Sequence, residues 1–294
     1  VPYELSEDEV NAKKMEIVQA ACDIVKNESG SSSHVPSPIS NASACTRDIV
    51  MDTGVCVCDG GLSIAQSDEV SKVIMGVYER VVQHLTSLGL ATTLETLGME
   101  SCPHPGYDEY MARQRNRIDM IVPALESLPY LQPEHAPWMP DIYAILGSGT
   151  RNIFKGCVLA LPGAPDQDWH QDGRPLWDDD PPLPPHCLNV FVPLVDVAPE
   201  DGPTQFAPDS QSQRAHRHGP TVAPCLRRGQ YCVFDYRVWH RGLANTGARP
   251  RPMLYLTYAK PWFRDHSNFP GRSCFDAAPP PPAPGPGGPN APQS

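Results

Sequence analysis

The sequence predicts a mainly β protein, a sandwich or barrel carried on supporting α-helices. Two observations lead there. From about residue 141, short apolar segments alternate with Pro, Gly and Asp turns: "DIYAILG", "FKGCVLALPG", "CLNVFVPLVDV", "GPTQFAP", "GQYCVFDYRVW" and "RPMLYLTYAKPWF". Closely spaced short strands are the mark of a sandwich or barrel. Upstream of them the apolar residues recur at helical spacing instead. With 294 residues, 40% hydrophobic and 19% charged, the chain is long enough for a substantial core of ordinary soluble composition.

The elements follow in chain order. "SEDEVNAKKMEIVQAACDIVK" reads as a helix: Ser6 and Glu9 form a capping-box pattern, and Ile17, Val18, Ala21, Ile24 and Val25 share one face. Residues 28–46, rich in Ser, Pro and Asn, read as a long loop. Residues 67–90 read as a second helix, with Val70, Val73, Ile74, Val77, Val81, Leu85 and Leu88 on one face and Gly89 as its stop. "CPHPGYDEY" (102–110) reads as a loop. The expected organisation is one domain over 1–276, with helical support to about 140 and a β core over about 141–270. Residues 277–294, dominated by Pro and Gly, read as a disordered tail.

Charge and cysteines narrow the function. A net charge of −11 argues against a nucleic-acid partner, although "RQRNR" (113–117) is a local basic patch. No apolar run is long enough to span a bilayer. The ten cysteines include no C-x-x-C, and "CVC" (56–58) is too tight for a zinc pair. They read as reduced thiols of a cytoplasmic-type protein. The chain starts at Val1, which leaves room for a removed targeting segment.

The chemistry concentrates in "DWHQDGRPLWDDD" (168–180). His170 and Asp172 are two apart, so in extended backbone they point to one side and can converge on one ion. The best third ligand is His240, at the end of an apolar strand in "VFDYRVWHRGLANTG". Two His and one carboxylate on one face of a metal leave positions open, as in non-haem Fe(II) oxygenases. A closed zinc site would want a fourth ligand. Arg251, eleven positions beyond His240, suits the distal carboxylate of a 2-oxoacid co-substrate; Arg249, two residues away, is a rival.

Other groups have plainer readings. Asp235 reads as structural, holding the turn that presents His240. Asp168 has the right parity but no expected ligand role. Trp169, Trp177 and Trp239 are pocket candidates, of which at least one is packing. "DDDPP" (178–182) and "RAHRHG" (214–219) read as loops.

Residues from about 110 to 270 resemble the phytanoyl-CoA dioxygenase-like family of Fe(II)/2-oxoglutarate oxygenases. The carrying segments are "PGAPDQDWHQDG", "NVFVPLVDV", "GPTQFAPDS", "FDYRVWHRGLANTGARPR" and "LTYAKPWF". The resemblance implies a double-stranded β-helix (jelly-roll, cupin-like) core. It implies iron on His170, Asp172 and His240, Arg251 on the co-substrate, Gln167 near it, and Asn189 in the pocket. It implies O2 and a small-molecule substrate as partners, and ascorbate as an accessory reductant. It implies hydroxylation of a C–H bond of a small organic or lipid-like metabolite, with release of succinate and CO2. Related halogenases lack the carboxylate that Asp172 supplies. The chain departs from the pattern at Gly242, where some relatives carry a Ser that helps hold 2-oxoglutarate, and at "APDS". Two rival readings are a jelly-roll that binds ligand without turnover and a zinc hydrolase using the same three residues. Substrate and oligomeric state are open.

Overall fold

Antiparallel strands with alternate side chains on opposite faces organise the protein. The computed structural model describes residues 42–88, 107–173, 176, 183–211, 220–266 and 268–276. In chain order the elements are α1 (Ala42–Thr53), β1 (Val55–Asp59), α2 (Ile64–Ser87), β2 (Met111–Gln114), β3 (Arg117–Ile121), α3 (Met139–Leu146) and β4 (Arg151–Ala160). They continue with β5 (Cys187–Pro193), β6 (Thr204–Phe206), β7 (Gln230–Asp235), β8 (His240–Gly242) and β9 (Arg251–Ala259). Seven strands form one antiparallel sheet in the order β1-β7-β5-β9-β4-β3-β2, and β6 pairs with β8 in a second. The architecture is a jelly-roll of the cupin type.

The two faces of the large sheet do different jobs. Leu254, Leu256 and Tyr258 of β9, Leu188, Val190 and Val192 of β5, and Cys157 and Leu159 of β4 point to one side. There they pack with Val70, Ile74, Val77, Val81 and Leu85 of α2 and with Ile142 and Leu146 of α3. The other face carries Phe191, Phe234, Met253 and Tyr255, which pack with Phe206 of the small sheet. Apolar packing at the rear thus fixes the sheet, and its front is left to build a site.

Helix α2 begins at Ser63, earlier than the expected 67. The Ser63 hydroxyl accepts from Gln66 N–H, and the Gln66 side chain accepts from Ser63 N–H. That box satisfies two N–H groups that the helix itself cannot. Gly89 lies outside the described residues, as do the expected helix within 1–26, the tail 277–294, residues 178–182, residues 214–219 and Trp177.

Three expectations are corrected. Residues 42–46, read as the end of a loop, open α1. "DIYAILG", read as a strand, lies in helix α3: Pro140 sits in its first turn, where no N–H is missed, and Met139, Ile142 and Leu146 bury one face. The indole of Trp138 donates to the Tyr258 hydroxyl at 2.8 Å and pins this helix to β9. The β core does not start near 141, because β1, β2 and β3 belong to the large sheet. The "RQRNR" patch is a hairpin, turned at Asn116 with φ +57°, and Arg117 is fully buried. Cys58, Cys157, Cys187 and Cys274 are free thiols, and among the described residues no helix is long and apolar enough to cross a membrane.

Candidate functional site

His170, Asp172 and His240 meet between the two sheets. One ligand atom from each lies within 4.8 Å of the others. Backbone pairing assembles them: His170 and His240 exchange N–H···O bonds of 3.0 and 2.9 Å as an isolated antiparallel bridge. The two imidazoles sit 4.4 Å apart. His240 is also wedged between Phe206 and Phe234.

The tautomers are set by the backbone. His170 Nδ1 lies 2.8 Å from the Asp168 carbonyl, and His240 Nδ1 lies 2.9 Å from the Val238 carbonyl. A carbonyl only accepts, so each Nδ1 carries the proton and each Nε2 keeps its lone pair. His240 Nε2 is 3.6 Å from Asp172 Oδ2. Burial holds His240 below its usual pKa, against the pull of Asp172, and keeps the ring neutral as a ligand must be. Asp168 therefore contributes its backbone carbonyl.

Asp172 is fixed by groups on the large sheet. Asn189 donates to its Oδ2 at 2.6 Å, and the Thr257 hydroxyl donates to Asn189 Oδ1 at 2.6 Å. Asn189 and Thr257 are register partners on β5 and β9. Asn189, expected in the pocket near the co-substrate, lines the pocket but spends its amide orienting Asp172. Asn268 donates to the Asp172 carbonyl at 2.9 Å.

The turn behind His240 holds a closed ion pair. Arg237 donates to both oxygens of Asp235, at 3.0 and 2.8 Å, with both residues buried. That is the structural role expected of Asp235.

A cavity of about 430 Å3 opens beside the triad. Its aromatic wall is Phe154, Phe191, Tyr236, Tyr255 and Phe269. The two described Trp candidates do not form it: Trp169 lies under the Arg241 guanidinium, and Trp239 is absent from the lining. Gln167 lines the cavity, and its Oε1 accepts from Gly242 N–H at 3.0 Å.

Arg251, 1% exposed and at the first position of β9, also lines the cavity. Its Nε and Nη2 have no hydrogen-bond partner among the described residues. Arg249, the rival, precedes the strand. It is half exposed and forms a 2.7 Å pair with Asp201. Same-face parity fails for it because β9 begins only at 251.

Sequence reasoning missed Arg117. It opens β3 and pairs in register with Ala160 of β4, which pairs with Arg251 of β9. The row therefore reads Arg–Ala–Arg, with a small residue between two buried cations. Arg117 Nη2 donates to the carbonyls of Pro165 (2.9 Å) and Leu243 (2.8 Å), while Nε and Nη1 have no partner among the described residues. Burial, reinforced by Arg251, brings Arg117 down to about 9, and burial brings Arg251 to about 10. Both are still cations at neutral pH.

Residues 129–253 match the phytanoyl-CoA dioxygenase (PhyH) family. Among solved structures, the non-haem α-ketoglutarate-dependent carbocyclase SnoK from nogalamycin biosynthesis is 18% identical. That likeness covers 77% of this chain and 87% of SnoK, with a TM-score of 0.51. The epimerase SnoN, solved with Fe3+, α-ketoglutarate and nogalamycin RO, is 17% identical over 81% of this chain and 93% of its own, with a TM-score of 0.52. These likenesses are of fold. Fold, family match and donor set together define a non-haem iron, 2-oxoglutarate-dependent class of enzyme. Within it, residues 129–253 are similar to the phytanoyl-CoA dioxygenase family.

Proposed function

We propose that this protein is an Fe(II)- and 2-oxoglutarate-dependent dioxygenase that hydroxylates a C–H bond of a small organic metabolite. The observation that carries the reading is the donor set. Two imidazoles with Nδ1 tied back and Nε2 free, plus one oriented carboxylate, fit an octahedral ion that must keep open positions. In this reading His170, Asp172 and His240 hold the iron, and Arg251 receives the distal carboxylate of 2-oxoglutarate.

When bound, the iron and co-substrate supply the oxidation of the C–H bond by O2, with succinate and CO2 released. The chain's own task is to orient and to exclude water. Asn189, held in turn by Thr257, fixes the Asp172 carboxylate beside the His240 imidazole. Phe154, Phe191, Tyr255 and Phe269 offer an apolar wall for the substrate body. A cavity of about 430 Å3, shared with a co-substrate, suits a compact metabolite or the end of a longer one. SnoK is a carbocyclase and SnoN an epimerase, so this fold serves more than one outcome. Asp172 in the carboxylate position supports hydroxylation over halogenation.

The test is anaerobic. Fe(II) with 2-oxoglutarate should give a visible metal-to-ligand charge-transfer band, absent in His170→Ala, and a metabolite screen should find substrate-dependent succinate. A folded protein with neither band nor succinate overturns the reading.

A further inference from the structure

We propose that Arg117 is the second half of a paired-guanidinium subsite that grips the co-substrate's distal carboxylate, in place of a hydroxyl at position 242. The inference rests on the co-substrate reading above and adds a residue of this chain to it. Two buried guanidiniums flank Ala160, and each turns two nitrogens toward no partner among the described residues. Both line the cavity that holds the triad. Buried like charges repel and are expensive unless an anion lies between them. A carboxylate has two oxygens and about four lone-pair sites, enough for both forks.

Gly242 explains how Arg117 gets there. A Cβ on Gly242 would lie 2.2 Å from Arg117 Nη1 and 2.7 Å from Gln167 Oε1. The backbone there is not in the left-handed region, so glycine is required by space and not by φ. A side chain at 242 and the guanidinium of Arg117 compete for one volume. The chain has the guanidinium, whose Nη2 is anchored on the carbonyls of Pro165 and Leu243 so that its other edge faces the cavity. The subsite is thus more cationic than one built from a single arginine and a hydroxyl, and should select strongly for a dicarboxylic 2-oxoacid.

The experiment titrates the Ni(II)-loaded protein, which does not turn over, with 2-oxoglutarate and with 2-oxopentanoate, the same chain length without the distal carboxylate. Arg117→Met should weaken 2-oxoglutarate about 10- to 100-fold, the range for a lost hydrogen bond to a charged group, and 2-oxopentanoate less than about threefold. Gly242→Ser alone should also weaken 2-oxoglutarate by displacing Arg117. Arg117→Met with Gly242→Ser should recover part of the loss, which a merely structural arginine would not allow. Arg117→Met binding 2-oxoglutarate like wild type while Arg251→Met does not would overturn this inference and leave the co-substrate reading standing. Equal losses for both ligands would overturn it too. An Arg251→Met protein that binds 2-oxoglutarate normally would sink the co-substrate subsite and the inference together.

Discussion

Arg237 and Arg251 flank the same site, both almost fully buried, and differ in one respect: Arg237 has its carboxylate and Arg251 does not. Burying an unpaired charge costs several kcal/mol. Where the chain supplies the counter-charge, as Asp235 does, the arginine serves the fold. Where the chain withholds it, the arginine is the proposed anchor for a ligand.

The sharpest way to break this contrast is Asp235→Asn. It strands Arg237 and should destabilise the protein by about 3–5 kcal/mol, read by urea unfolding. A loss below about 1 kcal/mol would mean that the pair does not hold the turn. Arg251→Met makes the opposite case. Its ligand-free stability should match or exceed wild type, while 2-oxoglutarate affinity falls at least ~30-fold, the cost of truncating a buried charge pair. Thermal melts with and without ligand check both halves. Asn189→Ala tests the support of the metal end. Losing the bond to Asp172 should weaken metal binding about 10- to 100-fold, measured by competition with a chelator. The smallest effect is expected at Arg249→Ala. That guanidinium is half exposed, so stability should change by less than about 1 kcal/mol and co-substrate affinity should hold.

What was legible in the sequence was local. His170 and Asp172 declare themselves because two residues of extended chain suffice to bring them together. Strands β4, β5, β7 and β9 are visible as apolar segments between turns. "DIYAILG" misleads because seven apolar-rich residues fit a buried strand or a helix equally, and Pro140 and Gly147 decide it only once their positions in α3 are known. Arg117 was unreadable for a deeper reason. Its role depends on strand pairing that puts residues 117, 160 and 251 in one row, and on a glycine at 242 in the other sheet. A basic run gives no hint of such register. The clue that existed was the missing Ser at 242, since an absent hydroxyl leaves room for something else.

For the metal site proposed above, the backbone bridge between His170 and His240 has a consequence for how the ion is acquired. The two imidazoles are distant in sequence, yet the chain closes that loop with its own hydrogen bonds. Loop-closure entropy is therefore charged to folding and not to ion binding. A zinc finger, by contrast, is unfolded until its ion arrives. With His170 and His240 as the proposed ligands, stripping the ion with a chelator should leave the unfolding transition cooperative and nearly unmoved in shape.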